Sequence, residues 1–228
     1  MQSMARARLK DLLLSCLWWE CRSRGRLGAR CMIPSMESEV SVFILAGGKS
    51  TRMGRDKAFV EFQGQTLLCR MLDVARQVSP NVCIVGDRGK FAAFASVIED
   101  AFPNCGPLAG IHAALRGSRS DLNLILAVDV PFVSLAFLQY LIARAKKLPD
   151  ATVTAARALG GFQPLSAVYR RDFAEVAEKS LRQQRYKIDA LFDSVHTQII
   201  AEEELEAAGF SPQVFRNLNS PQDLTAAT

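Results

Sequence analysis

Val40-Ser-Val-Phe-Ile-Leu45 is a short, β-branched and almost wholly apolar run, and two more of its kind follow at Val82-Cys-Ile-Val85 and Leu122-Asn-Leu-Ile-Leu-Ala-Val128. Runs of this kind, without strict alternation, read as strands buried on both faces. Between the first two, Leu67, Leu68, Met71, Leu72, Ala75 and Val78 recur at helical spacing, which predicts an amphipathic helix over about residues 66–77. Strand followed by helix, repeated with short connections, calls for parallel pairing and helices on both faces of the sheet. The expectation is therefore an α/β fold of three layers around a mostly parallel sheet. Further along, the pattern gives a short helix near 91–95, a strand at Val97-Ile98, and a helix starting near Gly110. A helix at about 134–147 follows, then strands at 152–155 and 165–169 and a helix from about Asp172. Ser220 and Pro221 supply the cap and first-turn signals of a final helix. No internal repeat or low-complexity tract interrupts the series, so residues 36–228 read as one domain.

The net charge of +5 invites a nucleic-acid reading, and its location answers it. Residues 1–35 carry seven Lys and Arg against Asp11 and Glu20, which leaves 21 basic and 21 acidic groups in the other 193 residues. The folded part is neutral, so no basic footprint for nucleic acid is expected. The apolar run Leu12-Leu-Leu-Ser-Cys-Leu-Trp-Trp19 is too short to span a bilayer, and Glu20-Cys-Arg-Ser-Arg-Gly-Arg26 after it offers no signal-peptidase site. Residues 1–35 read as a disordered or mis-started extension, with Met32 and Met36 as alternative initiators. No membrane partner is expected. Cys69, Cys83 and Cys105 show no CxxC spacing, and Cys69 and Cys83, set in apolar patterns, read as buried, reduced thiols of a cytoplasmic protein.

The first strand runs into Leu45-Ala-Gly-Gly-Lys-Ser-Thr-Arg-Met-Gly-Arg-Asp-Lys57. Glycines there let backbone approach a phosphate and turn its amides inward, while Lys49, Arg52, Arg55 and Lys57 add positive charge. Gly48-Lys-Ser50 resembles the tail of a P-loop, but the first glycine of that motif would fall on Phe43. No GxGxxG follows the strand either. Two adjacent glycines alone would suit an ordinary strand-to-helix turn; Arg52, Gly54, Asp56 and Lys57 at fixed offsets make a triphosphate cradle the better reading.

This segment is similar to the signature of the molybdenum cofactor guanylyltransferase family, part of a wider group of nucleotidyltransferases with a Rossmann-like fold. Matches continue in order through Glu99-Asp100, Gly106-Pro-Leu-Ala-Gly110, Asp129 with Pro131, Gln163-Pro-Leu-Ser-Ala-Val-Tyr169 and Asn217-Leu-Asn-Ser-Pro-Gln-Asp-Leu224, covering roughly residues 40–224. The resemblance implies transfer of GMP from GTP to the terminal phosphate of molybdopterin with release of pyrophosphate. It implies GTP and molybdopterin as substrates, Mg²⁺ as cofactor, and molybdoenzymes or other cofactor-biosynthesis proteins as partners.

Residue by residue, the resemblance assigns nucleotide contacts to Leu45, Ala46, Gly47, Lys57, Asp100 and Asp129. Lys57, Arg52 and Asp129 are the implied catalytic residues, with Lys57 opposite the α-phosphoryl group, Arg52 toward the β- or γ-phosphate and Asp129 as Mg²⁺ ligand. Asp129 without those companions would read as a strand-end Asp capping the next turn. Asp100 has the chemistry to accept paired hydrogen bonds from guanine, or to bind ribose, or to hold its own loop. Asn217 and Asn219 match the closing motif and are assigned to the acceptor side or the metal, with turn formation as the competing role. An asparagine that some members use near the second strand falls here within Cys-Ile-Val-Gly, so that contact is lost or passes to backbone. His112 and His196 read as structural. The alternatives left open are a cytidylyltransferase on the same pterin, a sugar- or alcohol-phosphate nucleotidyltransferase, and a non-catalytic GTP sensor. Leu45-Ala-Gly-Gly48, where such transferases usually have Leu-Ala-Ala-Gly, favours GTP.

Overall fold

The computed structural model describes residues 39–47, 56–218 and 223. Its sheet is built from β1 (Val40–Leu45), β4 (Val82–Val85), β5 (Ser96–Ile98), β6 (Leu122–Ala127), β7 (Val153–Ala158), β9 (Ser166–Arg170) and β10 (Thr197–Ile200), in the order β5-β4-β1-β6-β9-β7-β10. All of these run the same way except β9, which is antiparallel to both β6 and β7. A short strand, β8 (Gly161–Phe162), pairs with the end of β7 through a turn whose Leu159 and Gly160 have φ of 54° and 77°. A separate two-stranded hairpin joins β2 (Glu61–Phe62) to β3 (Gln65–Thr66).

The two faces of the sheet explain why its strands are apolar throughout. Val42 and Ile44 of β1 belong to a core shared with α1 (Leu67–Val78) and α4 (Leu135–Lys147). Phe43 and Leu45, pointing the other way, join the core under α3 (Pro107–Gly117) and α5 (Phe173–Arg182). A strand residue buried on either face has no place for a polar side chain unless it is paired. The three-layer expectation is met. Shorter helices α2 (Arg88–Phe91), α6 (Asp189–Phe192) and α7 (Glu202–Ala207) complete the layers.

Some boundaries differ from the sequence reading. The helix expected from Gly110 begins at Pro107, because Gly106 turns the chain at φ 73° and the proline ring suits a first helical turn. The helix expected near 91–95 is α2, which starts earlier because the Asp87 carboxylate accepts the Lys90 N–H at 3.1 Å. β7 extends three residues beyond 155, held there by the β8 hairpin. The extension 1–35 and most of the final helix lie outside the described residues.

Candidate active site

β1 sits where the sheet reverses its order. From β1 the chain builds outward to β4 and β5 on one side, and to β6 on the other. Ligands of open α/β sheets bind outside the carboxyl ends of strands at such a point. Here those ends are Leu45 and Ala127, aligned across the sheet, with Val128 N–H donating to Leu45 O at 3.2 Å. On the other side Ala46 N–H donates to Val85 O at 3.0 Å. A Cβ placed on Gly47 would meet nothing among the described residues nearer than Val85 O at 3.9 Å. Packing against those residues therefore does not require glycine at 47; close approach by something else would.

Lys57 opens a single 3-10 turn, Lys57–Phe59, which Asp56 caps by accepting the Ala58 N–H at 3.2 Å. Ala58 is fully buried and anchors the turn. Lys57 Nζ then reaches Asp129 Oδ2 at 2.9 Å, joining the end of the loop segment to the turn after β6. The two side chains are 23% and 18% exposed, so the pair adds on the order of 1 kcal/mol or less to stability. Its consequence is positional: a cation and a carboxylate are held together at the switch point.

Backbone and the start of α3 also lie at this end. Gly110, inside α3, lies so near β1 that a Cβ would stand 3.2 Å from Leu45 Cδ2. The helix therefore closes over the ends of β1 and β4. Val85, within the stretch where an asparagine was expected to be missing, is buried beside Leu45 and Gly110, and Gly86 N–H is committed to Ile98 O at 3.0 Å. Asp100 follows β5 at the same end, two strands along from β1. Partial burial pushes its carboxyl up, opposed by the Phe102 N–H that it accepts. Asn217 is exposed, next to buried Leu218, whose N–H donates to Asp129 O at 2.9 Å and so brings the closing segment beside Asp129. Arg52 and Asn219 lie outside the described residues, as does the loop from Gly48 to Arg55.

Both histidines fall outside this arrangement. His112 is buried in α3, edge-on to Phe102 at 5.2 Å, with Nε2 3.5 Å from Glu178 Oε2 on α5. His196 is exposed at the opposite end of the sheet; β10 begins only at Thr197, and Nδ1 lies 3.1 Å from Asp150 O. Sequence reasoning missed what holds Lys57 in place. Asp56 Oδ2 pairs with Lys90 Nζ at 2.8 Å, a partner 34 residues away that no local pattern announces. Asp56 at a cap position directly before Lys57 was the readable half of that signal.

Comparison with known proteins bears on the same residues. The sequence pattern of the MobA-like NTP transferase domain matches residues 42–198, from within β1 to within β10. The chain is 33% identical over 186 residues to a probable molybdenum cofactor guanylyltransferase of Pelotomaculum thermopropionicum, covering 81% of this chain and 89% of that protein. It is 32% identical over 191 residues to the molybdenum cofactor guanylyltransferase of Desulfosudis oleivorans, covering 82% and 94%. The crystal structure of molybdopterin-guanine dinucleotide biosynthesis protein A from Archaeoglobus fulgidus superposes with a TM-score of 0.71 at 27% identity, covering 82% of this chain and 96% of that one. With the pattern spanning both strand ends of the switch point and the pair Lys57–Asp129 between them, the chain belongs to the MobA-like NTP transferase family.

Proposed function

We propose that this nucleotidyltransferase transfers GMP from GTP to the terminal phosphate of molybdopterin, forming molybdopterin guanine dinucleotide and pyrophosphate. The observation that carries the reading is the Lys57–Asp129 pair at 2.9 Å across the switch point, in a family whose similar members are named for this reaction. A terminal phosphate oxygen of the acceptor attacks the α-phosphorus in line; the new O–P bond forms as the bond to the pyrophosphate oxygen breaks. Lys57, carried on a capped turn, offsets charge building on the α-phosphoryl group. Leu45, Ala46 and Gly47 offer backbone to the nucleotide, and Arg52 meets the outer phosphates. Asp100 accepts from the guanine edge that cytosine lacks, and Asn217 and Asn219 face the acceptor.

A divalent cation suits transfer of this kind, and Mg²⁺ is the ion proposed. Among the described residues no three His, Cys, Asp or Glu side chains gather to hold a metal, so the ion would rest on the Asp129 carboxylate. One hard oxygen ligand completed by phosphate oxygens and water is an ordinary Mg²⁺ environment. When bound, the ion supplies neutralisation of phosphate charge.

Cys69, Cys83 and Cys105 are free thiols, in keeping with the proposed cytoplasmic location; among the described residues no helix is long and apolar enough to cross a membrane. Molybdoenzymes or other cofactor-biosynthesis proteins are the proposed recipients. Incubation with Mg²⁺, molybdopterin and each radiolabelled triphosphate in turn tests the reading, with pyrophosphate and pterin dinucleotide as readouts. GTP should support turnover. Turnover with CTP alone would replace guanylyl by cytidylyl transfer, and turnover with none would leave a nucleotide sensor.

A further inference from the structure

The turn that presents Lys57 is fastened from one side by burial and from the other by charge. On the buried side, Ala58 has no exposure and the Phe59 ring stacks on Phe91 of α2 at 5.8 Å and 27°, with Phe94 at 5.9 Å. On the charged side, both carboxylate oxygens of Asp56 are taken: Oδ1 by the Ala58 N–H at 3.2 Å, Oδ2 by Lys90 Nζ at 2.8 Å. α2 itself is fixed to the end of β4. Asp87 caps it, and Gly86 lies so close beneath that a Cβ there would stand 3.0 Å from the Phe91 ring. We infer that Lys90 is a positioning residue for nucleotidyl transfer, acting through Asp56 to hold Lys57 opposite Asp129.

Two physical effects follow from that placement. The first is geometric, since Lys57 Nζ meets Asp129 only if the turn keeps its orientation. The second is electrostatic. Asp56 is a carboxylate directly beside the loop proposed to receive a triphosphate, and unpaired it would repel that ligand. Lys90 cancels the charge, and Asp56 in turn holds the Lys90 ammonium above its ordinary range. A comparable surface pair elsewhere provides the control. Lys146 Nζ lies 2.5 Å from Glu39 Oε2, before β1 and so at the opposite end of the sheet.

The kinetic part of this inference rests on the proposed guanylyl transfer, so the test has an arm that does not need turnover. In the full chain, Lys90→Met, Lys90→Arg and Lys146→Met are compared by hydrogen exchange of the segment 56–62 and by steady-state kinetics with GTP, Mg²⁺ and molybdopterin. Lys90→Met should speed exchange of that segment and lower kcat about tenfold while raising KM for GTP, with the thermal midpoint within about 2 °C. Lys90→Arg, which keeps the charge, should restore kcat to within about twofold, and Lys146→Met should alter neither readout. Unchanged exchange in Lys90→Met overturns the inference, and so does faster exchange with full kcat. A wild-type protein inert with every triphosphate would remove the guanylyl reading instead, while the exchange arm still decides whether Lys90 holds the turn.

Discussion

At the amino end of the sheet, polar side chains are bonded to one another and to backbone carbonyls; at the carboxyl end, they are set in place around strand termini. Ser41 Oγ and Ser120 Oγ are 2.8 Å apart, and Ser79 Oγ donates to Val40 O at 2.6 Å. Asn123, with no exposure, donates to the carbonyls of Ser120, Asp121 and Tyr169 at 3.2–3.4 Å. Arg170 pairs with Asp121 and donates from Nε to Ala151 O at 3.0 Å. This end is stitched shut. At the other end, the cross-strand ties described above run backbone to backbone, and Lys57 pairs with Asp129 and Asp56 with Lys90. Both ends bring polar groups to apolar strands, so the sheet does not dictate the difference. One end turns its hydrogen bonds inward, and the other gathers the groups proposed to meet an incoming ligand.

The contrast can be broken most severely at Asp129. Asp129→Ala should lower kcat/KM by about 10³-fold, with a thermal midpoint within about 2 °C of the parent. A variant with full activity would remove Asp129 from the site, and a collapsed midpoint would make it a structural residue. Asn123→Ala should do the reverse. Leaving buried carbonyls without a donor costs about 2–3 kcal/mol, enough to lower the midpoint by about 6 °C in a domain of this size while kcat stays put. Gly110→Ala is subtler. Alanine in a helix ordinarily gains about 1 kcal/mol over glycine, yet here the new methyl meets Leu45 at 3.2 Å, so thermal scans should show no gain and KM for GTP should rise about threefold. A plain stabilisation with unchanged KM would mean that Leu45 gives way freely.

The smallest effect belongs to the seam between α3 and α5. Arg116 and then Arg182 draw the Glu178 carboxyl down to about 2. A depressed folded pKa stabilises above the unfolded value, near 4.3, and that contribution disappears as pH falls toward 2. Urea midpoints of wild type and Glu178→Gln should therefore differ at pH 6 and converge near pH 2. A difference independent of pH would assign the effect to packing.

Much of the scaffold was legible because its strands are apolar on both faces. β1 and β4 emerge with the expected bounds, and β6 within a residue. The reversal of β9 was legible only in part. Residues 159–165 are too few for a parallel crossover, although hydrophobic pattern alone says nothing of strand direction. Helices of four to six residues, such as α6 and α7, are too short to display a period. At the candidate site, Lys57 was marked by the charge and glycines of its loop, and Asp129 only by the family resemblance. Their meeting at 2.9 Å, and the clasp between Asp56 and Lys90, depend on the fold bringing together residues 72 and 34 positions apart.

The hydrogen bond from Leu218 to the carbonyl of Asp129 spans 89 positions of sequence. A ribosome making this chain releases β1, the loop and β6 long before residue 218 emerges. The strands β1, β4, β5 and β6 can assemble early, but the surroundings of Asp129 close only once the chain has been made through residue 218. Nascent chains shorter than this would then hold a sheet with an unfinished mouth, and catalytic competence would report on synthesis through that segment.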